Sequence, residues 1–188
     1  MRAGASSSGD SGQSGRRSSG AEGFDALYAG RPPWDIGRPQ SAFVGLGDRG
    51  LLQGRVLDAG CGTGEHALMS AALGLEARFL VWDALQLPAL GEQFDTVLDC
   101  GLFHVFDDAE RAAFVTSLGA AIPPGGRYCM LCFSDHMPGG WGPRRVTQQE
   151  IRSSFSEGWR VDSIEPAELE INVEPLAALA WLSVITRL

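Results

Sequence analysis

The sequence has no apolar run near the roughly 18 residues that a membrane-crossing helix needs, which excludes a transmembrane reading. Clustered positive charge is almost as scarce. The only basic doublets are Arg16-Arg17 and Arg144-Arg145, on a chain of net charge −8 and pI about 4.8. A phosphate backbone is held by clustered basic side chains, so nucleic acid is a poor partner. Cysteine is limited to Cys61, Cys100, Cys129 and Cys132. No secretory apolar segment precedes them, and they read as reduced thiols of a cytoplasmic protein. Cys129 and Cys132 form a CxxC with no second pair. Residues three apart on a strand face opposite sides, so two packed thiols are expected and no metal site.

What remains suits one domain with a sizeable core: 188 residues, 44% of them hydrophobic, with mean hydropathy −0.02. Residues 1–22 are Ser/Gly-rich with almost no apolar side chains, which predicts a disordered tail. Residues 23–188 form the domain, and 23–50 precede its first strand. From there strands and helices alternate. "RVLDAG" (55–60), "ARFLVWD" (77–83), "DTVLDCGLF" (95–103) and "RYCMLCF" (127–133) read as buried strands. Helices are expected over about 65–73, over 107–122, opened by an Asp107–Glu110 capping box, and after a second box at Thr147 and Glu150. The last two strands, "WRVDSIEP" and "ALAWLSVITRL", have no crossover helix between them and should pair antiparallel at the sheet edge. The fold class is α/β: a Rossmann-like, doubly wound, mostly parallel sheet with a C-terminal antiparallel pair.

The most informative stretch is "VLDAGCGTG" (56–64), where a strand breaks into Gly60, Gly62 and Gly64 before a helix. Glycines let the backbone turn tightly and approach a ligand, while the helix N-terminus offers free N–H groups and partial positive charge. With Asp58 just before the turn, and G-x-G-x-G in place of the dinucleotide G-x-G-x-x-G, the stretch resembles motif I of the class I S-adenosylmethionine-dependent methyltransferases. "WDALQLP", "FDTVLDCGLFHVF" and "IPPGGRYCML" resemble later motifs of that family in the right order. The resemblance implies S-adenosylmethionine as cofactor, with S-adenosylhomocysteine as product. It implies that Asp58, Gly60, Cys61 and Gly62 lie at the methionyl end, Asp83 and Ala84 at the adenine, and Asp99 near the amino group. "RPPWDIGRPQ" resembles the lid of the family's small-molecule branch, most nearly bacterial quinone/phenol enzymes and also thiol and thiopurine-type ones. On that likeness Phe24, Tyr28 and Trp34 would cover the sulfonium, to which an aromatic face is attractive.

One departure stands out. The acid that binds the ribose should follow a second strand about 20 residues beyond the turn. Asp83 has that spacing but the context of the adenine residue of strand three. Only eleven residues separate Asp83 from Asp95, too few for a helix and another strand. "ARFLVWD" is therefore strand three, and strand two with its helix is missing between about Leu75 and Arg78. Glu76 falls too early to serve as the ribose acid.

The expected reaction is methyl transfer to a small aromatic or thiol acceptor, phenol or quinol oxygen favoured. His104 is a candidate general base, or equally a core or capping histidine. His136 and Trp141 are candidate acceptor contacts, in a loop that could be mobile, and His66 is expected on the helix surface. A non-catalytic cofactor-binding or interaction protein is the alternative, and a nicotinamide oxidoreductase fits the turn spacing poorly.

Overall fold

In the computed structural model of the chain, residues 27–74 and 79–188 are described. They fall into two compact units divided between Arg31 and Pro32, inside the segment 23–50 expected to act as one lid. Residues 27–31 make a turn in which the Gly30 N–H donates to the Leu27 carbonyl (3.2 Å). Phe24 and Glu76 lie outside the described residues.

From Pro32 the elements run α1 (Ser41–Asp48), β1 (Val56–Ala59), α2 (Glu65–Ala72), a 3-10 helix (Ala84–Leu90), β2 (Thr96–Cys100), α3 (Asp108–Ala121), β3 (Arg127–Phe133), α4 (Gln148–Ser154), β4 (Trp159–Glu170) and β5 (Ala177–Arg187). The five strands form one sheet in the order β1-β2-β3-β5-β4. β1, β2 and β3 are parallel, and β5 runs antiparallel to both β3 and β4. The α/β sheet with an antiparallel C-terminal pair is thus as expected, with α1 and the 3-10 helix added.

Local chemistry sets the helix starts. Asp107 accepts from the Glu110 N–H while Glu110 accepts from the Asp107 N–H, each at 2.9 Å. Thr147 and Glu150 repeat the device ahead of α4 (3.0 and 2.7 Å). Each reciprocal pair satisfies two N–H groups that a helix end leaves open.

β3 shows how the core is split. Tyr128, Met130 and Cys132 face one apolar layer with Phe103, Phe114 and Leu118. Cys129, Leu131 and Phe133 face the other, with Phe43 and Leu46 of α1. Each large side chain buried here contributes roughly 1.5–3 kcal/mol. The two thiols of the CxxC thus lie on opposite faces, and burial pushes Cys129 up to about 12 and Cys132 higher still. Among the described residues no His/Cys/Asp/Glu group is arranged to hold a metal, and no helix is long and apolar enough to cross a membrane.

Of the strand expected at 77–83, residues 77 and 78 lie outside the described residues and the rest does not form a strand. Residues 79–83 have no regular structure, and Phe79, Leu80, Val81 and Trp82 are exposed, Val81 completely. In a doubly wound sheet strand three pairs only with strand two. With strand two missing, its backbone has no ladder to join, and β1 becomes the sheet edge.

Candidate functional site

The C-terminal ends of β1, β2 and β3 lie side by side, the position where open α/β sheets bind ligands. β1 ends at Ala59 and enters a turn in which Gly60, Gly62 and Gly64 all adopt positive φ (73, 54 and 88°), a region open to glycine at little cost. No side chain caps α2, which starts at Glu65, so its first N–H groups point into the turn. Asp58 precedes the turn with both carboxylate oxygens buried and without a hydrogen bond. A buried carboxylate without hydrogen bonds is costly, and a cationic amino or a hydroxyl group arriving at the turn would supply one. The methionyl end of S-adenosylmethionine carries such an amino group. Burial and the Asp58 charge push the Cys61 thiol up, so Cys61 lines the turn as a neutral group.

His66, expected on the surface, is buried. Its Nε2 accepts from the Gln40 N–H (3.2 Å), which leaves the proton of the neutral ring on Nδ1, 3.6 Å from Asp58 Oδ2. Gln40 in turn pairs its amide with both backbone groups of Glu170 (3.0 and 2.8 Å). The Glu170 carboxylate takes a bidentate contact from Arg38 (2.8 and 3.0 Å) and a bond from the Ser41 N–H. Asn172 binds the carbonyls of Pro32, Pro33 and Asp35. The segment 32–41, with Trp34 half-buried in it, is thereby fastened to the end of β4 and to the side of the glycine turn. Sequence reading missed the Glu170 and Asn172 partners because they lie 129 to 140 residues away.

Asp83, expected at the adenine, is exposed, with Oδ1 accepting from the Leu85 N–H (2.9 Å) to cap the 3-10 helix that begins at Ala84. The Phe79 ring lies against the glycine turn, so close to Gly64 that a Cβ there would clash with it.

Two candidates stand at and just after the end of β2. Asp99 is the one expected near the cofactor's amino group. It is fully buried and accepts from the N–H groups of Leu102 (2.6 Å) and Phe103 (3.0 Å) and from the Tyr128 hydroxyl (2.5 Å). Desolvation outweighs these bonds and raises its carboxyl to about 6. Asp99 fixes the turn after β2. His104 is likewise a core group. It is 5% exposed, its Nδ1 accepts from the Phe133 N–H (3.0 Å), and its ring packs edge-on to Phe133 at 4.9 Å. Burial, with the charges of Arg111 and Arg145, holds it down at about 3. Its accepting nitrogen is occupied, the arrangement of the core histidine that the sequence offers equally with a base.

His136 and Trp141 follow β3 on one loop. His136 is exposed, its ring edge-on to Trp181 at 5.0 Å. The Trp181 N–H donates to Asp135 and to the Val146 carbonyl, each at 3.1 Å. Trp141 is half-exposed against Phe133 at 5.7 Å. A groove of about 240 Å³ lined by Arg49, Arg127, Asp162 and Thr186 lies instead beside the N-terminal end of β3, away from the turn.

A parallel sheet that ends in a glycine turn, beside a buried acid without hydrogen bonds, has the form of a nucleotide-binding protein of the doubly wound class. No family model matches the chain. A curated relative, the 2-heptyl-1-hydroxyquinolin-4(1H)-one methyltransferase of Mycobacteroides abscessus, is 34% identical over 77% of this chain and 75% of its own. The probable thiol methyltransferase 2 of Arabidopsis thaliana is 27% identical over 76% and 75%. A structure solved in work on conversion of a disulfide bond into a thioacetal group during echinomycin biosynthesis superposes with TM-score 0.77. It is 36% identical and covers 88% of this chain and 92% of that one. The chain belongs to the class I S-adenosylmethionine-dependent methyltransferases that act on small molecules. The alignment with the hydroxyquinolone enzyme spans 171 positions yet takes in 77% of 188 residues, about 145, so about 26 positions have no residue here. A strand and most of a crossover helix have that length.

Proposed function

We propose that this chain transfers a methyl group from S-adenosylmethionine to the hydroxyl of a small heteroaromatic or phenolic acceptor. The observation that carries the reading is the buried Asp58 carboxylate beside the glycine turn, which accepts no hydrogen bond, in a chain 34% identical to a hydroxyquinolone methyltransferase. A hydroxyl is favoured over a thiol because the relative named for a hydroxylated ring is the more similar of the two curated ones.

S-adenosylmethionine supplies the methyl on a sulfonium, where in-line displacement needs mainly positioning and loss of the acceptor's proton. Asp58 receives the amino group, and the backbone of Gly60, Cys61 and Gly62 lies along the carboxylate side. Asp83 and Ala84 meet the adenine. Trp34 excludes water and presents a ring face to the positive sulfur. His136 takes the proton in place of His104, being exposed on the loop after β3, and Trp141 stacks on the acceptor ring.

The test is incubation with S-adenosylmethionine and a panel of 1-hydroxyquinolin-4-ones, phenols and aromatic thiols, read by mass spectrometry for the methylated product. Methylation of a hydroxyl, reduced at least a hundredfold in His136→Gln, supports the reading. A second reading, a cofactor-binding protein without turnover, is favoured by one observation, the Phe79 ring packed against Gly64 of the turn. S-adenosylhomocysteine binding with no product from any acceptor selects it.

A further inference from the structure

The loop after β3 carries five peptide carbonyls that converge on one side chain. Arg145 Nε donates to Met137 O (3.4 Å), Nη1 to Trp141 O (2.8 Å) and Pro143 O (2.6 Å), and Nη2 to Pro138 O (3.4 Å) and Gly139 O (3.2 Å). A guanidinium has five N–H donors, and here each has its own carbonyl. No acid forms an ion pair with Arg145 among the described residues, whereas its neighbour Arg144 is paired with Asp108 and Glu150. The carbonyl dipoles are what face the Arg145 charge. The positive φ of Gly139 and Gly142 (76 and 78°) lets the chain curl around the guanidinium, which also lies 5.4 Å from the Phe133 ring centre. Phe133 is the last residue of β3 and packs against Trp141. The parallel bridge between Ser134 and Val146 closes the base of the loop.

The eight residues 136–143, rich in Gly and Pro, would not hold one shape by their own contacts, because they bring few apolar side chains to bury. The loop that could be mobile is wound about a single cation, and that cation decides where Trp141 and the His136–Met137 step stand.

We propose that Arg145 is the positioning residue of the acceptor site: it shapes the 136–143 loop so that His136 and Trp141 face a planar aromatic acceptor, without touching acceptor or cofactor itself. The proposal rests on the methyl-transfer reading given above. It explains why a lysine would not serve, since an ammonium has three donors and no fork with which to hold five carbonyls.

The test compares the full chain with Arg145→Lys and Arg145→Gln in two assays. In the first, initial rates with the best acceptor of the panel are set beside S-adenosylhomocysteine titration. The expected result is an acceptor KM raised at least tenfold in Arg145→Gln and less in Arg145→Lys. kcat should fall as well, because His136 moves with the loop, while S-adenosylhomocysteine affinity should stay within twofold. In the second, chymotrypsin cleavage after Trp141 is timed under native conditions, and both variants should be cut at least tenfold faster. An unchanged acceptor KM, or an equal loss of acceptor and cofactor affinity, overturns the positioning role. If the wild-type chain methylates nothing, the methyl-transfer reading has failed, and the cleavage assay then judges the arginine alone. Cleavage at the wild-type rate in Arg145→Gln overturns the proposal.

Discussion

His104→Asn is the substitution that best separates a core histidine from a catalytic one. Asparagine retains an acceptor for the Phe133 N–H that His104 Nδ1 now takes (3.0 Å), so the backbone donor is not orphaned. At pH 8 the variant loses ring packing against Phe133 and is less stable by about 1–3 kcal/mol. Acid changes the comparison. The ring titrates at about 3 in the folded chain, against 6.5 when exposed. The unfolded state therefore binds the proton first, and stability fully present above pH 6.5 is lost as pH falls toward 3. At pH 5 the unfolded ring is almost wholly charged and the folded ring almost wholly neutral. The wild type should have lost about 2 kcal/mol through this residue alone. The asparagine variant loses none of it, so its deficit should shrink by about 2 kcal/mol between pH 8 and pH 5. Urea unfolding of both chains at the two pH values measures the difference. Other titrating groups cancel where they do not couple to the site; Arg111 and Arg145, the charges facing His104, stay ionised throughout. A deficit equal at both pH values within about 0.5 kcal/mol would refute the buried, neutral ring and return His104 to candidacy as a base.

Asp99 works in the opposite sense. Its carboxyl is raised to about 6 from 3.8, so the folded state holds the proton longer, and the wild type should gain about 1 kcal/mol through it on going from pH 8 to pH 5. Asp99→Asn, which turns an amide toward three donors, should cost about 1–3 kcal/mol at pH 8 and more at pH 5, by the same urea assay. Gly54→Ala places a Cβ 2.1 Å from Asp95 Oδ2, on a backbone at φ 63°, and displaces the carboxylate that accepts from the Arg55 N–H (2.8 Å); a loss of about 1–3 kcal/mol is expected in thermal or urea melts. Val81→Ser alters a fully exposed side chain and should leave stability within about 0.5 kcal/mol, while reducing concentration-dependent light scattering from the patch it shares with Leu80 and Trp82.

Most of the sheet was legible because its signals are local. β3 coincides with "RYCMLCF", both capping boxes form where the S/T/D-x-x-E spacing puts them, and the final strands pair antiparallel for want of a crossover. "ARFLVWD" failed for a non-local reason. Its β-branched and aromatic residues suit a strand, but strand formation needs a neighbour, and the missing unit removes it. The site shows the same division. The glycine turn and Asp58 could be read from one nine-residue stretch. Asp99 and His104 carry the right chemistry at the right strand end, and the turn at Gly101 (φ 85°) brings both into the core. The Gln40–His66–Asp58 contacts, the Glu170 and Asn172 anchors of the lid segment, and the five-carbonyl clasp of Arg145 depend on tertiary proximity or loop path, which no spacing rule encodes.

The most direct test of the central claim is calorimetric titration of the wild-type chain and Asp58→Asn with S-adenosylhomocysteine. Saturable binding to the wild type, weakened at least tenfold (about 1.4 kcal/mol) by Asp58→Asn, is the predicted result, because the buried carboxylate would lose its charge toward the cofactor's amino group. No heat from the wild type, or equal affinity in both, would contradict the assignment of the glycine turn and Asp58 as a working cofactor site.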